Sequence, residues 1–459
     1  MALSSTTLDR LSERELEDAR GLRLAVIHCG FTYSGGGERL VLEQVLALRR
    51  RGFTVDCYAP TVDEDACFPE LIREVRPRSL FPQLPRWVPF REAIQLAAAS
   101  LFAPLLALTL PRYDAIVGQN QPGVWIAWIV SSLRRRPYLA YLNQPCRLIY
   151  PRDVDVQTGW KTKADYELLD WVIQRIAHFV AWADRTSVRS AHRLLVDGAF
   201  IGGRIAEVYE RDVTDCPGGC HPAPPAYVRG EFETGSIAVN GSSIPKPYVL
   251  LTNRHYPQKR FDLVIRAMER LSTVGIDVPL VVTGGATDYT SELIALRDRL
   301  GMREHVLFIG EVSEPDLQRL YSEAAVYVYP SPEEDFGLGI VEAMAREVPV
   351  VAWAHGGPTV TVEDGVTGLL ARPGSVDDFS KHIGTLLRDP ETARAMGRAG
   401  RERAQTEFSW ATHAARLHVA VRGTLEGSST LPARTRALAL GRMTSIAAIA
   451  DAALAGHEA

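Results

Sequence analysis

Short, continuous apolar runs recur along most of the chain and are separated by amphipathic stretches. Apolar residues that are consecutive rather than alternating are typical of strands buried on both faces of a sheet. The pattern predicts ten such strands, at residues 23–29, 53–58, 113–117, 138–142, 193–196, 248–252, 279–283, 306–309, 325–329 and 348–353.

The stretches between these strands have a helical period. In Arg39–Arg49 and Phe261–Leu271 the apolar positions recur at three- and four-residue steps, which predicts amphipathic helices. Strand followed by helix, repeated, indicates parallel sheets with right-handed crossovers. The predicted fold class is therefore α/β.

One region interrupts the pattern. Residues 216–246 are rich in Pro and Gly and show little periodicity, so they are interpreted as a linker. The predicted divisions are an N-terminal αβ domain (1–225), a second αβ domain (226–410) and a C-terminal segment (411–459). Ligands of open parallel sheets bind beyond the carboxyl ends of the strands, so a site is expected between the domains.

Composition narrows the function classes. The 459 residues are 46% hydrophobic and 23% charged, with a net charge of −4. A disordered or fibrous chain is excluded, and no nucleic-acid partner is indicated. Six cysteines are too few for a disulfide framework, and the Cys216–Cys220 pair beside His221 is a Pro-Gly turn rather than a zinc site, since a fourth ligand is missing. Residues 1–21 lack the apolar core of a signal peptide, so a cytosolic location is predicted.

Two apolar segments in the N-terminal half have two interpretations. Ala93–Leu110 and Val124–Val130 are either core helices, which we favour, or one of them contacts a membrane interface with Arg134–Arg136 near anionic lipid. The second interpretation would place the protein peripherally at the inner face of a membrane. Ala93–Leu110 is at the lower limit of a spanning length and contains polar residues, so a true span is disfavoured.

The densest chemical signal lies at residues 330–345. Gly337 and Gly339 allow a ligand to approach the backbone closely, near the predicted start of a helix that could attract phosphate. Glu342 is expected ~7 Å along the helix from Gly337. Glu334 and Glu342 could therefore bind hydroxyls at separate points of one elongated ligand. The alternative is that Glu334 caps the helix and Glu342 is solvated.

A second strand–loop–helix segment favours the ligand interpretation. Arg254 and Lys259 follow the strand at 248–252, where they could reach one pyrophosphate from two directions. A surface loop could hold both cations by chance. Their occurrence in the same predicted domain as the glutamate pair indicates a nucleotide site.

These motifs resemble the donor domain of the retaining glycosyltransferases of family 4, which have the two-domain GT-B architecture. The family's Glu-x7-Glu motif, Pro-Ser-x-x-Glu-x-Phe-Gly-Leu followed by Glu-Ala-Met-Ala, stands here at 330–345, and Arg254-x4-Lys259 matches its phosphate clamp. The similarity covers residues 246–410. It implies two Rossmann-like αβα domains that face each other across a cleft, with residues 1–225 on the acceptor side and 226–410 as the nucleotide-sugar donor domain. Residues 411–459 would then form a helix that returns towards the N-terminal domain, followed by a tail. In the first half, Gly35–Arg39 resembles the family's Gly-Gly-x-Glu loop.

The resemblance implies a role for each donor-side residue. Glu334 would hold hydroxyls of the donor sugar, Glu342 would hold the ribose, and Arg254 and Lys259 would neutralise the departing diphosphate. Arg254, Lys259 and Glu334 are accordingly expected to take part in catalysis. The full donor-binding set expected is Gly36, Gly37, Arg254, Lys259, Glu334, Phe336, Gly337, Leu338 and Glu342. No metal or other cofactor is then required, and the Asp-x-Asp triplets at 63–65 and 153–155 are predicted to be ordinary surface acids.

The acceptor half departs from the family pattern. The stretch 141–150 resembles a His-x-Pro-x-Arg-x-x-Tyr segment of the mannosyltransferase branch, but Asn143 replaces the histidine. An amide can orient a hydroxyl but cannot take its proton. The donor's own phosphate oxygen would accept that proton, as proposed for retaining enzymes of this architecture. His28 and His178 are the other candidates for a base, although each is more often a packed histidine. The expected acceptor-side residues are Asn120, Asn143, Arg147 and Tyr150.

The function predicted by the resemblance is retaining transfer of a sugar from a nucleotide-diphosphate sugar to an acceptor hydroxyl. GDP-mannose is favoured slightly over a UDP-sugar, and the acceptor is a glycan, a lipid-linked compound or a small molecule. The alternative is a non-catalytic nucleotide-sugar-binding protein with a regulatory or scaffold role. A dinucleotide-dependent oxidoreductase is disfavoured, because the first strand–helix loop lacks Gly-x-Gly-x-x-Gly.

Overall fold

The structure is a computed structural model that describes residues 19–157, 167–223 and 235–430. Three predictions concern residues outside these ranges: the domain boundary at 225/226, most of the segment 1–21 that was considered for a signal peptide, and the tail beyond residue 430. The N-terminal half below means residues 19–223, and the C-terminal half means residues 235–407.

The N-terminal half is built on a seven-stranded sheet. Its paired strands are all parallel, and their spatial order is β3-β2-β1-β4-β5-β6-β7. The central strands have almost no exposed residue, as their continuous apolar sequences predict. The strands are β1 (Arg23–Ile27), β2 (Thr54–Ala59), β3 (Arg78–Ser79), β4 (Ala115–Gln119), β5 (Tyr138–Leu142), β6 (Arg193–Val196) and β7 (Thr214–Asp215).

Helices cover both faces of this sheet and bury two apolar clusters against it. They are α1 (Gly36–Arg50), α2 (Pro69–Val75), α3 (Arg91–Leu101), α4 (Ala103–Thr109), α5 (Asn120–Arg134), α6 (Asp153–Gln157), α7 (Glu167–Arg189) and α8 (Ala199–Tyr209).

The C-terminal half begins with an antiparallel hairpin and continues into a six-stranded parallel sheet. The spatial order of the sheet is β12-β11-β10-β13-β14-β15. The strands of this half are β8 (Gly235–Val239), β9 (Ser242–Lys246), β10 (Val249–Thr252), β11 (Leu280–Thr283), β12 (Val306–Gly310), β13 (Val326–Tyr329), β14 (Val350–Trp353) and β15 (Gly368–Ala371).

Two further apolar clusters lie on the faces of the second sheet, under its helices. These helices are α9 (Phe261–Thr273), α10 (Tyr289–Arg299), α11 (Glu314–Glu323), α12 (Leu338–Met344), α13 (Pro358–Thr361), α14 (Val376–Arg388) and α15 (Pro390–Glu407); the last described helix of the chain is α16 (Trp410–Thr430).

All ten predicted strands are present, and the pattern missed five others. Two of these, β3 and β7, are only two residues long and carry no periodic signal. The linker interpretation of 216–246 is wrong for its last part, where β8 and β9 pair and Ile237, Val239 and Ile244 join a core cluster. The signal was available: Asn240 and Gly241 both have positive φ, the turn that an Asn-Gly dipeptide favours between alternating strands.

Cys220, near the end of the N-terminal half, touches the segment that follows Glu407 at the end of the C-terminal half. The backbone N–H of Cys220 donates to Phe408 O at 2.8 Å, and that of Trp410 donates to Cys220 O at 3.3 Å. Helix α16 then returns to the N-terminal half, where its apolar side chains complete the cluster around α1. The Cys216–Cys220 turn therefore holds the returning helix in place.

The two membrane-candidate segments differ in the structure. Val124–Val130 lies in α5 and is a buried core helix. Ala93–Leu110 is not the single core helix that we favoured, because α3 and α4 meet at a 70° bend and keep several large apolar side chains exposed. Among the described residues no single helix has the length and apolar composition needed to cross a bilayer; only this bent pair passes that test, on length and composition alone.

Candidate active site

The carboxyl ends of the strands in both sheets border a cleft of about 2160 Å³. Loops after β4, β5 and β6 line it from the N-terminal half, and loops after β10, β11 and β13 line it from the C-terminal half. This is where ligands of open parallel sheets bind. All nine expected donor-side residues line this cleft, together with Asn120, Asn143 and Arg147.

The loop from β13 to α12 is shaped by glycines. Gly337 has a φ of 91°, which favours glycine, and α12 begins at the next residue. Gly356 and Gly357 pack against the loop's backbone, and a Cβ at 357 would lie 2.5 Å from Phe336 Cα. The backbone N–H of Gly357 also donates to Glu334 O at 2.5 Å. These contacts fix Glu334 at the cleft wall, so the helix-cap alternative for Glu334 is not observed.

Lys259 and Glu334 form an ion pair at this wall. Lys259 Nζ donates to Glu334 Oε2 at 2.6 Å, and the two side chains are only 19% and 17% exposed. Burial opposes ionisation of Glu334, but Lys259 and Arg152 hold the pKa of its carboxyl below the usual range. Glu334 is therefore an anion at neutral pH and can accept hydrogen bonds from ligand hydroxyls.

Arg254 lies in the same loop as Lys259 but has different neighbours. Its guanidinium carbon is 4.8 Å from the centre of the Tyr33 ring and 5.3 Å from that of Tyr256. Such aromatic contacts orient a guanidinium without neutralising its charge. No carboxylate of the described residues pairs with Arg254, so its charge is available to an anionic ligand.

Glu342 is not solvated, because Arg39 bridges it to the other side of the cleft. Arg39 belongs to α1 and reaches Glu342 Oε1 at 3.1 Å and Glu314 Oε1 at 2.8 Å. The Arg39 and Glu342 side chains are 14% and 13% exposed. Next to this bridge, Leu338 Cδ1 lies 3.4 Å from the position that a Cβ on Gly36 would occupy. The Gly-Gly-x-Glu segment thus meets the glutamate motif directly.

On the acceptor side, three polar residues form one hydrogen-bonded row. Asn120 and Asn143 exchange two bonds of 2.9 Å, and Asn143 Nδ2 donates to Asp197 Oδ2 at 3.2 Å. Asp197 Oδ1 accepts from the backbone N–H of Gly218 at 2.6 Å. The residues follow β4, β5 and β6, three neighbouring strands. Their amides can orient a hydroxyl, and none of the amides can act as a base.

Arg147 lines the cleft, whereas Tyr150 does not. The Tyr150 hydroxyl accepts from Arg185 Nε at 2.9 Å, outside the cleft. Arg147 and Arg152 both bind Asp155, and Arg152 Nη1 also donates to Glu333 O across the cleft at 3.2 Å.

The prediction that the Asp-x-Asp triplets are surface acids is wrong for one member of each. Asp155 is 1% exposed and is paired with two arginines, while Asp63 is 9% exposed and is paired with Arg86 and Arg91. Burial of a carboxylate requires such partners, and a triplet's spacing gives no sign of them.

The two histidines considered as bases lie in different surroundings. His178 is exposed on α7 and does not line the cleft. His28 is buried at the cleft, 3.9 Å from Glu38. Burial lowers the pKa of His28, but Cys29 and Glu38 outweigh burial and leave the pKa above its usual value. A histidine that is already protonated cannot accept the proton of an acceptor hydroxyl.

Sequence reasoning missed two carboxyls in the cleft, the buried Asp197 and the partly buried Asp335. Burial raises the pKa of Asp197 to about 8, and it raises the pKa of Asp335 to about 7 against the opposing charge of Arg152. Asp335 Oδ1 has no hydrogen-bond partner among the described residues. Asp197 could have been found, since it follows a predicted strand as Asn143 does.

We expect Asp197→Asn to make stability less dependent on pH. The wild-type carboxyl is protonated in the fold up to about pH 8 but ionised in the unfolded chain above about pH 4. Wild-type stability therefore falls as pH rises from 4 to 8, by at most about 1.4 kcal/mol per unit from this group. Asparagine does not titrate, so the melting temperature of the variant relative to wild type should rise with pH up to 8 and then level off. A difference that stays constant from pH 5 to 8 would contradict this assignment.

Two family models together match most of the chain. "Glycosyl transferase 4-like domain" matches residues 35–212, and "Glycosyl transferases group 1" matches residues 236–403. The human alpha-1,3/1,6-mannosyltransferase ALG2 is 27% identical over 395 residues, which is 82% of this chain and 90% of the relative. A GDP-mannose-dependent alpha-(1-6)-phosphatidylinositol monomannoside mannosyltransferase of Mycolicibacterium smegmatis is 37% identical over 179 residues, 38% of this chain and 47% of the relative.

Solved structures agree on the fold. A sucrose-phosphate synthase from Thermosynechococcus elongatus matches with a TM-score of 0.66 at 20% identity, over 88% of this chain and all of that one. Anabaena Alr3699/HepE in complex with UDP matches with a TM-score of 0.64 at 18% identity, over 88% of this chain and 100% of that one. The paired family models, the two facing parallel-sheet units and these relatives lead to one conclusion: the chain belongs to the family 4-type glycosyltransferases of GT-B architecture.

Proposed function

We propose that the chain is a retaining mannosyltransferase that transfers mannose from GDP-mannose to an acceptor hydroxyl. The observation that carries the proposal lies on the donor side of the cleft. There Arg254 and Lys259, from the loop after β10, lie beside Glu334 from the loop after β13, and no carboxylate of the described residues pairs with Arg254. The choice of mannose and of guanine is supported by the names of the two mannosyltransferase relatives.

In this proposal the diphosphate binds between Arg254 and Lys259. Its negative charge grows as the bond to the sugar breaks, so two fixed cations in a partly buried site stabilise the transition state more than the bound donor. Glu334 accepts hydrogen bonds from sugar hydroxyls while it keeps Lys259 in position. Glu342 accepts hydrogen bonds from the ribose, for which it exchanges part of its contact with Arg39.

The acceptor side of the cleft supports retention. The acceptor hydroxyl binds next to the Asn120–Asn143 pair, whose amides orient it but cannot take its proton. The hydroxyl oxygen then attacks C1 of mannose on the face that the diphosphate leaves. The bond from C1 to the phosphate oxygen breaks as the new C1–O bond forms, and the hydroxyl proton passes to that departing phosphate oxygen. No metal ion is needed, because the two cations already compensate the leaving charge.

We favour transfer over a binding-only role, because a regulatory protein would not need cations at the leaving group as well as carboxylates at the sugar. Release of GDP from GDP-mannose in the presence of an acceptor distinguishes the two. A cytoplasmic location is part of the proposal, and it is supported by the six cysteines, none of which is in a disulfide in the described part of the chain.

We expect GDP to stabilise the protein against heat more than UDP does. A ligand that binds only the folded state at 100 times its Kd contributes about 2.7 kcal/mol, which raises the melting temperature by several degrees. A thermal-shift series with GDP, UDP, ADP and GMP at equal concentrations measures this, and GMP tests the contribution of the second phosphate. A larger shift with UDP would overturn the choice of guanine, and no shift with any diphosphate would overturn the donor site.

A further inference from the structure

The N-terminal half carries a large exposed apolar face. Of the sixteen large apolar side chains exposed in the described residues, seven lie between Trp87 and Leu108. Leu101, Leu108 and Trp87 are 73%, 81% and 81% exposed. Contiguous apolar surface of this kind is rare on monomeric proteins and marks a binding surface. We call this surface, formed by α3, α4 and the loop before them, the apolar face; its most prominent members are Trp87, Phe90, Leu101, Phe102, Leu105 and Leu108.

The bend between α3 and α4 and their packing on α5 leave one side of each helix exposed. The two helices meet at 70°, and their inner sides are buried through Gln95, Ala99, Ala103 and Leu106. The guanidinium of Arg134 donates to carbonyls at the end of α4, so the bent pair is bound to α5. Helices held in this way present one side outwards.

The charge near the apolar face is mainly positive, with Glu92 of α3 as an exposed acid. From Ala93 to Arg152 the sequence contains six arginines, no lysine and one acid, Asp114. Asp114 is engaged by the backbone N–H of Arg23 at 2.8 Å. Arg112, Arg135 and Arg136 are exposed. An apolar surface beside exposed arginines matches the layered chemistry of an anionic membrane, in which acyl chains lie below phosphate groups.

The cleft reaches this surface through an apolar arm. Beyond Asn120 and Gln121, the cleft is lined by Trp125 of α5, Leu101 of α3 and Phe179 of α7. The Trp125 ring lies 6.1 Å from that of Phe179, and its Nε1 donates to Ser100 O at 3.1 Å. One continuous apolar path therefore leads from the acceptor amides to the exposed Leu101.

We propose that the apolar face lies in the interfacial layer of a membrane that contains anionic lipid, and that the apolar arm receives the hydrocarbon part of a lipid-linked acceptor. The proposed membrane contact depends only on the exposed apolar and basic side chains. The role of the arm rests on the proposed function, because it assumes that an acceptor binds next to Asn120 and Asn143. A partner protein that covers the same face would be one outcome of the test below.

Flotation with vesicles tests the membrane contact. Wild type is expected to float with phosphatidylcholine vesicles that contain 30% phosphatidylglycerol, roughly tenfold more than with pure phosphatidylcholine. Leu108→Glu should reduce the floated fraction at least tenfold, whereas Val419→Glu, a change on the exposed side of α16, should leave it unchanged. Arg135→Glu with Arg136→Glu should remove the preference for anionic vesicles. The proposal would be overturned if wild type did not float, or if Leu108→Glu and Val419→Glu reduced flotation equally. Either result would favour a partner protein on the apolar face.

Two soluble acceptors test the arm separately. Octyl α-mannoside should have a KM at least tenfold below that of methyl α-mannoside, because its alkyl chain enters the arm. Leu101→Asp should remove that difference by raising the KM for octyl α-mannoside at least tenfold. Equal KM values in wild type would overturn the role of the arm. GDP binding is measured in parallel by thermal shift without vesicles. If GDP still binds while the two KM values are equal, the role of the arm is wrong and the donor site is not.

Discussion

Lys259→Ala is expected to reduce turnover by about 10²–10³-fold. The variant loses one of the two cations placed at the leaving diphosphate, and that cation acts most strongly in the transition state. It also leaves Glu334 at the wall without its 2.6 Å partner, which should lower stability by about 1–3 kcal/mol. Initial rates of GDP release and thermal unfolding measure the two effects.

A matched variant separates these effects. Lys246 pairs with Glu323 at 2.8 Å in the same half of the protein but does not line the cleft. Lys246→Ala should lower stability by a similar amount or less and leave turnover unchanged. If the two variants lost turnover equally, Lys259 would be a structural residue and not part of the phosphate site.

Glu342→Ala and Glu334→Ala are expected to separate nucleotide binding from sugar binding. Loss of Glu342 removes the ribose contact and should raise the Kd of GDP about 10–100-fold. Loss of Glu334 should leave GDP binding equal or tighter, because Lys259 is then free of its carboxylate. The same Glu334 variant should bind GDP-mannose no more tightly than GDP, and its turnover should fall by at least 10²-fold. Calorimetric titration with GDP and with GDP-mannose measures both.

The control for both variants is Glu347→Ala, which breaks an ion pair with Arg401 at 3.0 Å outside the cleft. It should bind both ligands like wild type. If the two cleft variants also bound both ligands like wild type, the donor assignment of the glutamate motif would be wrong. If Glu342→Ala bound GDP like wild type but bound GDP-mannose no more tightly than GDP, Glu342 would contact the sugar rather than the ribose.

The sequence was sufficient for the frame of the fold, because strands buried on both faces must be continuously apolar. It was insufficient where strands are short or lie at an edge, as β3 and β7 do, since two residues cannot show a period. The hairpin at Asn240–Gly241 is different: its turn residues and alternating flanks were present and were obscured by the prolines nearby. The bounds of the long helices α1 and α9 differ from the prediction by at most three residues.

For the site, the sequence identified which donor-side residues line the cleft but not what they contact. The pairing of Lys259 with Glu334 depends on how two loops pack, and the bridge from Arg39 to Glu342 depends on how the two halves meet. Such contacts join residues 75 or more positions apart and leave no local pattern. Asp335 was inside the motif and was overlooked, because its burial cannot be read from its neighbours in sequence.

The contact between Cys220 and the segment 408–410 has a consequence for motion. Two backbone bonds join Cys220, near the end of the N-terminal half, to the segment that follows the C-terminal half. They define a hinge line, because relative sliding or twisting of the halves would break them. Rotation about the line itself breaks none of them, so the cleft should widen and narrow along one coordinate. Gly219 permits this arrangement, since a Cβ there would lie 2.6 Å from the backbone nitrogen of Trp410. A side chain at position 219 would push this turn away from Trp410, weaken the two backbone bonds and give the halves a second direction of movement.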